Sequence, residues 1–373
     1  MSVSALVAAD IGNAHGAMNR KPWPQRSSAV AVWLFLLAGM VVAMVIVGGA
    51  TRLTHSGLSI TEWKPIRGAI PPLNPQDWSR EFAHYRQIPQ YRLLNRGMSL
   101  ESFKAIFWWE WAHRLLGRLV GLAFALPFAW FVWRGEMPGR LLWRCVLLFA
   151  LGGLQGLIGW WMVSSGLERL TSVAPERLAI HLGAALILFL ALIWTGLEAL
   201  AGQERAKPSR VWVGWSGLTL AMGFTQCLLG ALVAGNHAGL VYNDWPLMNG
   251  RFLPAVAKGQ GPLHALVHDI ALVQFDHRMF AYLILAVVTT GCVRGLLAAL
   301  PEGLKLWLAL LLSVVWLQAL LGVATLMAVA PLWLSMLHQI GATLVLAFGS
   351  ICLWRMLRFE PRQFGGGIGS RAL

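Results

Sequence analysis

Long apolar stretches alternate with short polar segments along almost the whole chain. Eight of these stretches are long enough to cross about 30 Å of hydrocarbon as helices. They lie at 29–50, 105–133, 141–163, 177–199, 211–234, 271–293, 305–327 and 333–354. The pattern therefore predicts an all-α polytopic membrane protein with eight transmembrane helices, called spans 1 to 8 below. Composition agrees, since 57% of the 373 residues are hydrophobic and only 12% are charged.

Lysine and arginine are concentrated in alternate short segments between the spans. Such a bias favours the cytoplasmic side for those segments, so both termini are expected in the cytoplasm. The residues concerned are Arg20, Lys21, Arg26, Arg134, Arg140, Arg144, Arg205, Lys207, Arg210, Arg294, Lys305, Arg355, Arg358, Arg362 and Arg371. This topology accounts for the net charge of +14 without a nucleic-acid partner. The first residues fit neither a signal peptide nor a transit peptide, which favours a bacterial inner membrane.

The chain carries an internal repeat. "QGLIG" at 155–159 recurs as "QALLG" at 318–322, "EWAHRLLG" at 110–117 matches "QFDHRMFA" at 274–281, and "THSGL" at 54–58 pairs more weakly with "NHAGL" at 236–240. Four crossings separate equivalent helices, so we expect two pseudo-symmetric four-helix bundles related by an axis along the membrane normal. The expected divisions are a cytoplasmic segment 1–28, a first bundle 29–200 with a long outer loop, a linker 201–210, a second bundle 211–354 and a tail 355–373.

Each even-numbered span carries a histidine near its outer end. These residues are His113, His181, His277 and His338. Two imidazoles per bundle, with no ladder of carboxylates or thiolates beside them, fit six-coordinate haem iron better than zinc or a di-iron centre. The residue one turn further on is always small, which leaves room for a macrocycle: Gly117, Ala185, Ala281 and Ala342. For Gly117 with Gly121, close helix packing of the G-x-x-x-G kind is the alternative.

The two halves differ in one carboxylate. Glu110 lies three residues before His113, on the same helical face, whereas the equivalent position before His277 is Gln274. An intramembrane carboxylate is costly, so we interpret Glu110 as a proton donor or acceptor. The alternative is that it holds the imidazole of His113 in one tautomer. Asp276 points away from His277 around the helix, and we expect an arginine such as Arg278 to pair with it.

Arginines follow two of the histidines directly. Arg114 and Arg278 are candidate partners of haem propionates, because a guanidinium matches carboxylate geometry; snorkelling to the outer interface is the alternative. Arg118 has no counterpart in the repeat and receives no assignment.

The outer loop after span 1 contains a short amphipathic pattern. Trp78, Phe82 and Tyr85 fall on one side of a predicted helix. This helix either covers the mouth of the bundle above a hydrophobic ligand or anchors the loop. The four cysteines all lie within spans, at 145, 227, 292 and 352, so no disulfide framework is expected.

Several of these phrases resemble the haem A synthase family. They are "GGATRLTHSGLSITEWKPIRGAIPP" (48–72), "EWAHRLLGR" (110–118), "QGLIGWWMVSSGL" (155–167), "YNDWPLMNG" (242–250), "FDHR" and "LHQ". The resemblance implies an oxidoreductase that converts haem O to haem A by oxidising a ring methyl group to a formyl group. It implies substrate-site histidines at His113 and His181, a catalytic glutamate at Glu110, and a permanent haem b held by His277 and His338. The absence of cysteine pairs in the outer loops places the chain beside the family branch without them.

The mechanism implied by the resemblance is two successive hydroxylations of the methyl group, giving a geminal diol that loses water to the aldehyde. Candidate partners are haem O, haem O synthase, an electron acceptor, membrane lipid and a second copy of the chain. One alternative function is that of a dihaem b-type electron-transfer protein without methyl chemistry, which gives no reason for an unmatched Glu110. A transporter is disfavoured, because the polar residues gather at one level instead of spreading through the midplane.

Overall fold

A computed structural model describes residues 27–168, 170–201, 209–255, 259 and 261–358. Within these ranges there are eight long apolar helices, which confirms the eight predicted spans. We number them α1 (Ser28–Leu53), α2 (Leu100–Trp133), α3 (Gly139–Glu168), α4 (Pro175–Ala201), α5 (Arg210–Gly235), α6 (Ile270–Leu297), α7 (Glu302–Met327) and α8 (Leu332–Met356). The described residues form no β-sheet. The terminal segments and most of the linker 201–210 lie outside the described residues.

The helices of each half form a closed ring. In the first half α1 packs against α2 and α4, and α3 packs between α2 and α4; in the second half α5 packs against α6 and α8, and α7 against its two neighbours. The halves meet through α1, α4, α5 and α8. The small surface of Gly183 on α4 permits close approach there, because a Cβ would come within 2.9 Å of Leu228 on α5. These matching contacts are consistent with the predicted repeat.

At its outer end α2 extends five residues beyond the predicted boundary. This helix begins at Leu100, capped by Ser99, whose hydroxyl accepts the N–H of Ser102 at 3.2 Å. The first turns extend beyond the apolar stretch because a short helix, Pro75–Tyr85, packs on them. His113 consequently lies deeper along its helix than His181, His277 and His338 lie along theirs.

The short helix Pro75–Tyr85 forms as predicted and anchors the outer loop. Asn74 caps it by accepting the N–H of Asp77 at 2.8 Å. Trp78 lies edge-on to Phe107 with ring centroids 4.9 Å apart, and Phe82 contacts Phe103 at 5.0 Å. The aromatic side of this helix therefore packs on α2, which favours the anchoring interpretation.

Candidate functional site

The four repeat histidines lie as two pairs, one in each half. His113 and His181 are close enough for their charges to interact, and so are His277 and His338. Each ring rests on a glycine of the preceding odd-numbered helix. A Cβ at Gly48, Gly159, Gly230 or Gly322 would come within 2.9 to 3.2 Å of the Cε1 atom of His113, His181, His277 or His338, respectively. A side chain at any of these glycines would therefore displace the imidazole.

Three of the four histidines are also held by a glutamine. Gln155 on α3, Gln226 on α5 and Gln318 on α7 each lie four residues before the supporting glycine. Their amide nitrogens donate to the main-chain carbonyls of His181, His277 and His338 at 2.8, 2.9 and 2.8 Å. The same nitrogens lie 3.0 to 3.1 Å from the Nδ1 atoms of those rings. Each glutamine thus holds the backbone of its histidine by a hydrogen bond and lies against the Nδ1 edge of the ring.

His113 has no such glutamine. The residue four positions before Gly48 is Met44, a thioether that donates no hydrogen bond. The Nδ1 atom of His113 is buried and has no hydrogen-bond partner among the described residues. Glu110 therefore does not hold this imidazole in one tautomer, which was the alternative role that the sequence left open.

The Glu110 carboxylate joins α2 to the outer loop. Glu110 is only 3% exposed to solvent. Oε2 accepts the hydroxyl of Ser59 and the N–H of Ile60, both at 2.8 Å. Oε1 accepts two N–H groups of Arg114, at 2.7 and 3.1 Å. Four donors therefore fix a buried carboxylate one helical turn from His113.

Arg114 and Arg278 make equivalent contacts with the outer loops. Arg114 donates to the carbonyls of Ile60 and Glu62 at 2.7 and 3.0 Å. Arg278 donates to the carbonyls of Tyr242, Asp244 and Leu247 at 2.8 to 3.1 Å. When "THSGL" is aligned with "NHAGL", the first two carbonyls of each set occupy the same positions. Each arginine therefore holds the loop that follows the first helix of its half through hydrogen bonds to main-chain carbonyls. Neither side chain merely extends to the membrane interface.

Arg118, which the sequence left without a role, extends the first clamp. Its guanidinium donates to the carbonyls of Pro65 and Lys64 at 2.8 and 3.0 Å. The outer loop therefore runs along α2 for two turns below Glu110. The equivalent position in the second half is Tyr282, whose hydroxyl accepts the indole N–H of Trp245 in the second outer loop at 2.8 Å.

One expectation and one alternative from the sequence are wrong. Asp276 forms no ion pair with Arg278; it lines an apolar groove of about 380 Å³ with Leu229, Met279, Phe280 and Leu283. The guanidinium of Arg278 is occupied by loop carbonyls instead, which a helical wheel cannot show. Gly121 has no heavy atom within 4 Å of a built Cβ, so Gly117 and Gly121 do not form a close helix contact.

A second cluster joins the two halves at their outer side. The rings of His55 and His237 stack with centroids 5.0 Å apart, and Arg52 donates to Nε2 of His237 at 2.7 Å and to the carbonyl of Gly235 at 2.9 Å. Burial, the Arg52 charge and His55 lower the pKa of His237 to about 4. Burial and Arg52 also lower the pKa of His55. Both rings are therefore neutral near pH 7.

The donor set and the space around it fit haem. Among the described residues, the one group of three metal-ligating side chains is Glu62, Glu81 and His84 in the outer loop, and it contains none of the four paired histidines. The pairs offer imidazole alone, which suits an iron porphyrin. On α3, built Cβ atoms at Gly152, Gly153 and Gly156 meet nothing within 4 Å, so this side of the first half is open.

The three glutamines and Arg52 were not identified from the sequence. A signal for the glutamines was present, since Q-x-x-x-G occurs at 155–159, 226–230 and 318–322, on three of the four odd-numbered helices. The second occurrence, QCLLG at 226–230, lies on α5, whose partner in the repeat, α1, has Met44 at the glutamine position. Arg52 has no repeat counterpart, and its contact with His237 depends on how the halves meet.

Eight apolar helices with one internal imidazole pair in each half define a polytopic membrane protein built around paired histidines. Residues 31–349 match the COX15-CtaA family model, described as a cytochrome oxidase assembly protein. A Caulobacter sp. (strain K31) protein named heme A synthase is 56% identical over 334 residues, which cover 89% of this chain and 97% of that protein. A Bradyrhizobium sp. (strain ORS 278) protein of the same name is 46% identical over 93% of this chain and 95% of its own length. The chain belongs to this family, the haem A synthases.

Proposed function

We propose that this chain is a haem A synthase that oxidises a ring methyl group of haem O to a formyl group by successive hydroxylations. The observation that carries the proposal is an asymmetry between otherwise matching halves. Each half holds an imidazole pair, but a buried carboxylate lies beside only one pair, since Glu110 is replaced by Gln274 in the second half. Membership of the family and the name shared by its relatives support the same activity.

In this proposal the two pairs have different tasks. His113 and His181 hold the iron of substrate haem O in the first half, and His277 with His338 holds a resident haem b in the second. The iron supplies the redox chemistry when haem is bound. Glu110 takes up and delivers protons at the junction of α2 with the outer loop, and Ser59 and Ile60 keep its carboxylate in place.

The arginines that follow the histidines have a supporting role. The guanidinium of Arg114 neutralises the negative charge of the Glu110 carboxylate. Two of its N–H groups donate to Oε1, at 2.7 and 3.1 Å. We keep Arg114 and Arg278 as proposed partners of propionates. The Nε atom of Arg278 supports this, because it is buried and without a hydrogen-bond partner among the described residues.

The substrate is proposed to enter from lipid between α2 and α3. Built Cβ atoms at Gly121 on α2 and at Gly152, Gly153 and Gly156 on α3 meet no heavy atom within 4 Å, which leaves open space beside these two helices. A prenyl tail needs an apolar exit, and both helices have exposed leucines, among them Leu122 on α2 and Leu154 on α3. Both termini are proposed to be cytoplasmic, in a bacterial inner membrane, with the imidazole pairs toward the outer face.

The proposal is tested by co-expressing the chain with a haem O synthase in a bacterial host that lacks a haem A synthase. The pigments are then extracted and separated by chromatography. Haem A is the expected product. A dihaem electron-transfer protein would instead yield haem b, unchanged haem O and no haem A, and this outcome would refute the activity.

A further inference from the structure

A pocket of about 260 Å³ lies where α7 begins and α8 ends, at the end of these helices away from the imidazole pairs. It is lined at the start of α7 by Pro301, Gly303 and Leu304 and at the end of α8 by Trp354, Arg355 and Arg358. Two of these six side chains are guanidinium groups, and none is a carboxylate. The lining therefore carries positive charge and no negative charge of its own.

Several hydrogen-bond donors at this pocket lack an acceptor. Trp354 is only 8% exposed, and its indole N–H has no partner among the described residues. The Nε atom of Arg355 is likewise buried without a partner among them. Pro301 occupies the N-cap of α7, where no side chain caps the helix, so the N–H groups of Glu302 and Gly303 have no partner within the helix. A ligand that offers several acceptors fits these surroundings.

The internal repeat shows which group this pocket lacks. Glu198 on α4 and Arg355 on α8 are equivalent, since each lies 17 residues after the repeat histidine of its helix. Arg144 on α3 and Trp307 on α7 are equivalent as well, since each lies 11 residues before the glutamine of its helix. Arg144 forms an ion pair with Glu198 in the first half, whereas Arg355 lies over the ring of Trp307 in the second, with Cζ 5.4 Å from the centroid. The second half thus has an arginine where the first half has a carboxylate.

Glu198 does not supply the missing negative charge to Arg355. Besides its ion pair with Arg144, its Oε1 atom accepts the indole N–H of Trp194 at 3.0 Å and lies 3.9 Å from Nη2 of Arg358. Among the described residues no ion pair joins Arg355 to Glu198 or to any other carboxylate. The anion that completes the pocket must therefore come from outside these residues.

We propose that this pocket binds the phosphate of an anionic phospholipid. The oxygens of a phosphodiester only accept hydrogen bonds, which matches the guanidinium of Arg355, the indole of Trp354 and the open N–H groups at the start of α7. Basic pockets at the ends of membrane-spanning helices lie at the level of the lipid headgroups. A zwitterionic headgroup fits less well, because its ammonium would meet no carboxylate in the lining. This site does not depend on the proposed haem chemistry.

The test measures lipid binding to the purified full-length protein with its haems. Native mass spectrometry counts bound lipid as short-chain phosphatidylglycerol or phosphatidylethanolamine is added, and inorganic phosphate is tested as a competitor. Arg355→Gln removes the guanidinium that has no carboxylate partner. Arg140→Gln is the matched control, because Arg140 is exposed at the α3 position equivalent to Gly303 and does not line the pocket.

The unmodified protein and Arg140→Gln should bind the first phosphatidylglycerol more tightly than phosphatidylethanolamine, and free phosphate should not displace it. Arg355→Gln should lower the affinity for phosphatidylglycerol about tenfold, as loss of a hydrogen bond to a charged group predicts. Equal affinities for the two lipids, displacement by inorganic phosphate, or unchanged affinity in Arg355→Gln would each overturn the proposal.

Two further variants keep the proposal falsifiable. If Arg355→Gln does not fold, Trp354→Phe keeps an aromatic ring, removes the indole N–H, and should weaken phosphatidylglycerol binding about threefold to tenfold; unchanged binding there would refute the site. Glu360 lies outside the described residues, and Glu360→Gln tests a carboxylate of the chain's own tail as the occupant. Lipid binding that appears only in Glu360→Gln would assign the pocket to the tail and reject the lipid.

Discussion

The imidazoles of His55 and His237 stack with their centroids 5.0 Å apart and their planes 16° from parallel. They belong to the loops that follow α1 and α5, so this contact joins the two halves at their outer side. Both residues have a positive φ, 55° and 52°, which places the rings against each other at a backbone cost. A contact between halves that depends on neutral imidazoles is expected to respond to pH.

Acid should weaken this contact. The pKa of His237 falls from 6.5 to about 4 in the folded protein because burial, Arg52 and His55 oppose its positive charge. Above about pH 6.5 both the folded and the unfolded states are neutral, and between about 6.5 and 4 only the unfolded state takes up the proton. The melting temperature in detergent should therefore fall as pH is lowered from 7.5 to 5.

The matched control for this pH effect is His237→Asn. Asparagine tolerates a positive φ and does not titrate. This variant should melt lower at pH 7.5, because the stacked ring is lost, but its further decrease at pH 5 should be smaller than that of the unmodified protein. Equal decreases in the two proteins would show that His237 does not contribute to the pH dependence.

Removing one histidine of the second pair should empty the haem b site. In His277→Ala one of two proposed axial ligands is lost, so the b-type absorption of the purified protein should fall to a small fraction of its normal amplitude. His264→Ala, on the exposed outer side, is the control and should keep the full spectrum. A normal b-type spectrum in His277→Ala would contradict the assignment of this pair.

Much of this arrangement could be predicted from the sequence, because it depends on features within single helices. Apolar length determines the eight helices, and helical spacing places Glu110 and His113 on one face. The contacts of Arg114, Arg118 and Arg278 could not be predicted in the same way. Their partners are main-chain carbonyls, which carry no sequence signal, and the path of the outer loop along α2 depends on aromatic packing between Trp78 and Phe107.

A charge-conserving variant distinguishes two roles of Arg278, which are holding the outer loop and binding a haem propionate. Arg278→Lys keeps the positive charge but cannot reach the carbonyls of Tyr242, Asp244 and Leu247 together. It should lower the free energy of unfolding by about 1–3 kcal/mol, since buried carbonyls lose their donors. Limited proteolysis should then cut the segment 242–250 faster.

Haem b content distinguishes the two roles of Arg278. If the arginine serves mainly as a clamp, freshly purified Arg278→Lys should retain haem b at nearly the normal level. Immediate loss of haem b with an unchanged rate of proteolysis would instead indicate that the guanidinium holds a propionate and that the clamp matters little.

The proposed topology is testable by cysteine labelling, because three of the four native cysteines are buried and the fourth, Cys227, lies within α5. Ser79→Cys places a thiol on the exposed face of the outer-loop helix, and Glu302→Cys places one at the start of α7 on the opposite side. In intact spheroplasts a membrane-impermeant maleimide should label Ser79→Cys alone. Labelling of Glu302→Cys alone would reverse the orientation, and the unmodified protein reports the background.

The central claim is that one carboxylate distinguishes a reacting site from a haem-holding site. The measurement that tests it most directly is the pigment content of Glu110→Gln, compared with Gln274→Glu as the matched control in the other half. Glu110→Gln should keep haem b and accumulate haem O, with haem A reduced by about a hundredfold or more, as loss of a proton-transfer group predicts; Gln274→Glu should still make haem A. Normal haem A in Glu110→Gln, or its loss only in Gln274→Glu, would contradict the account.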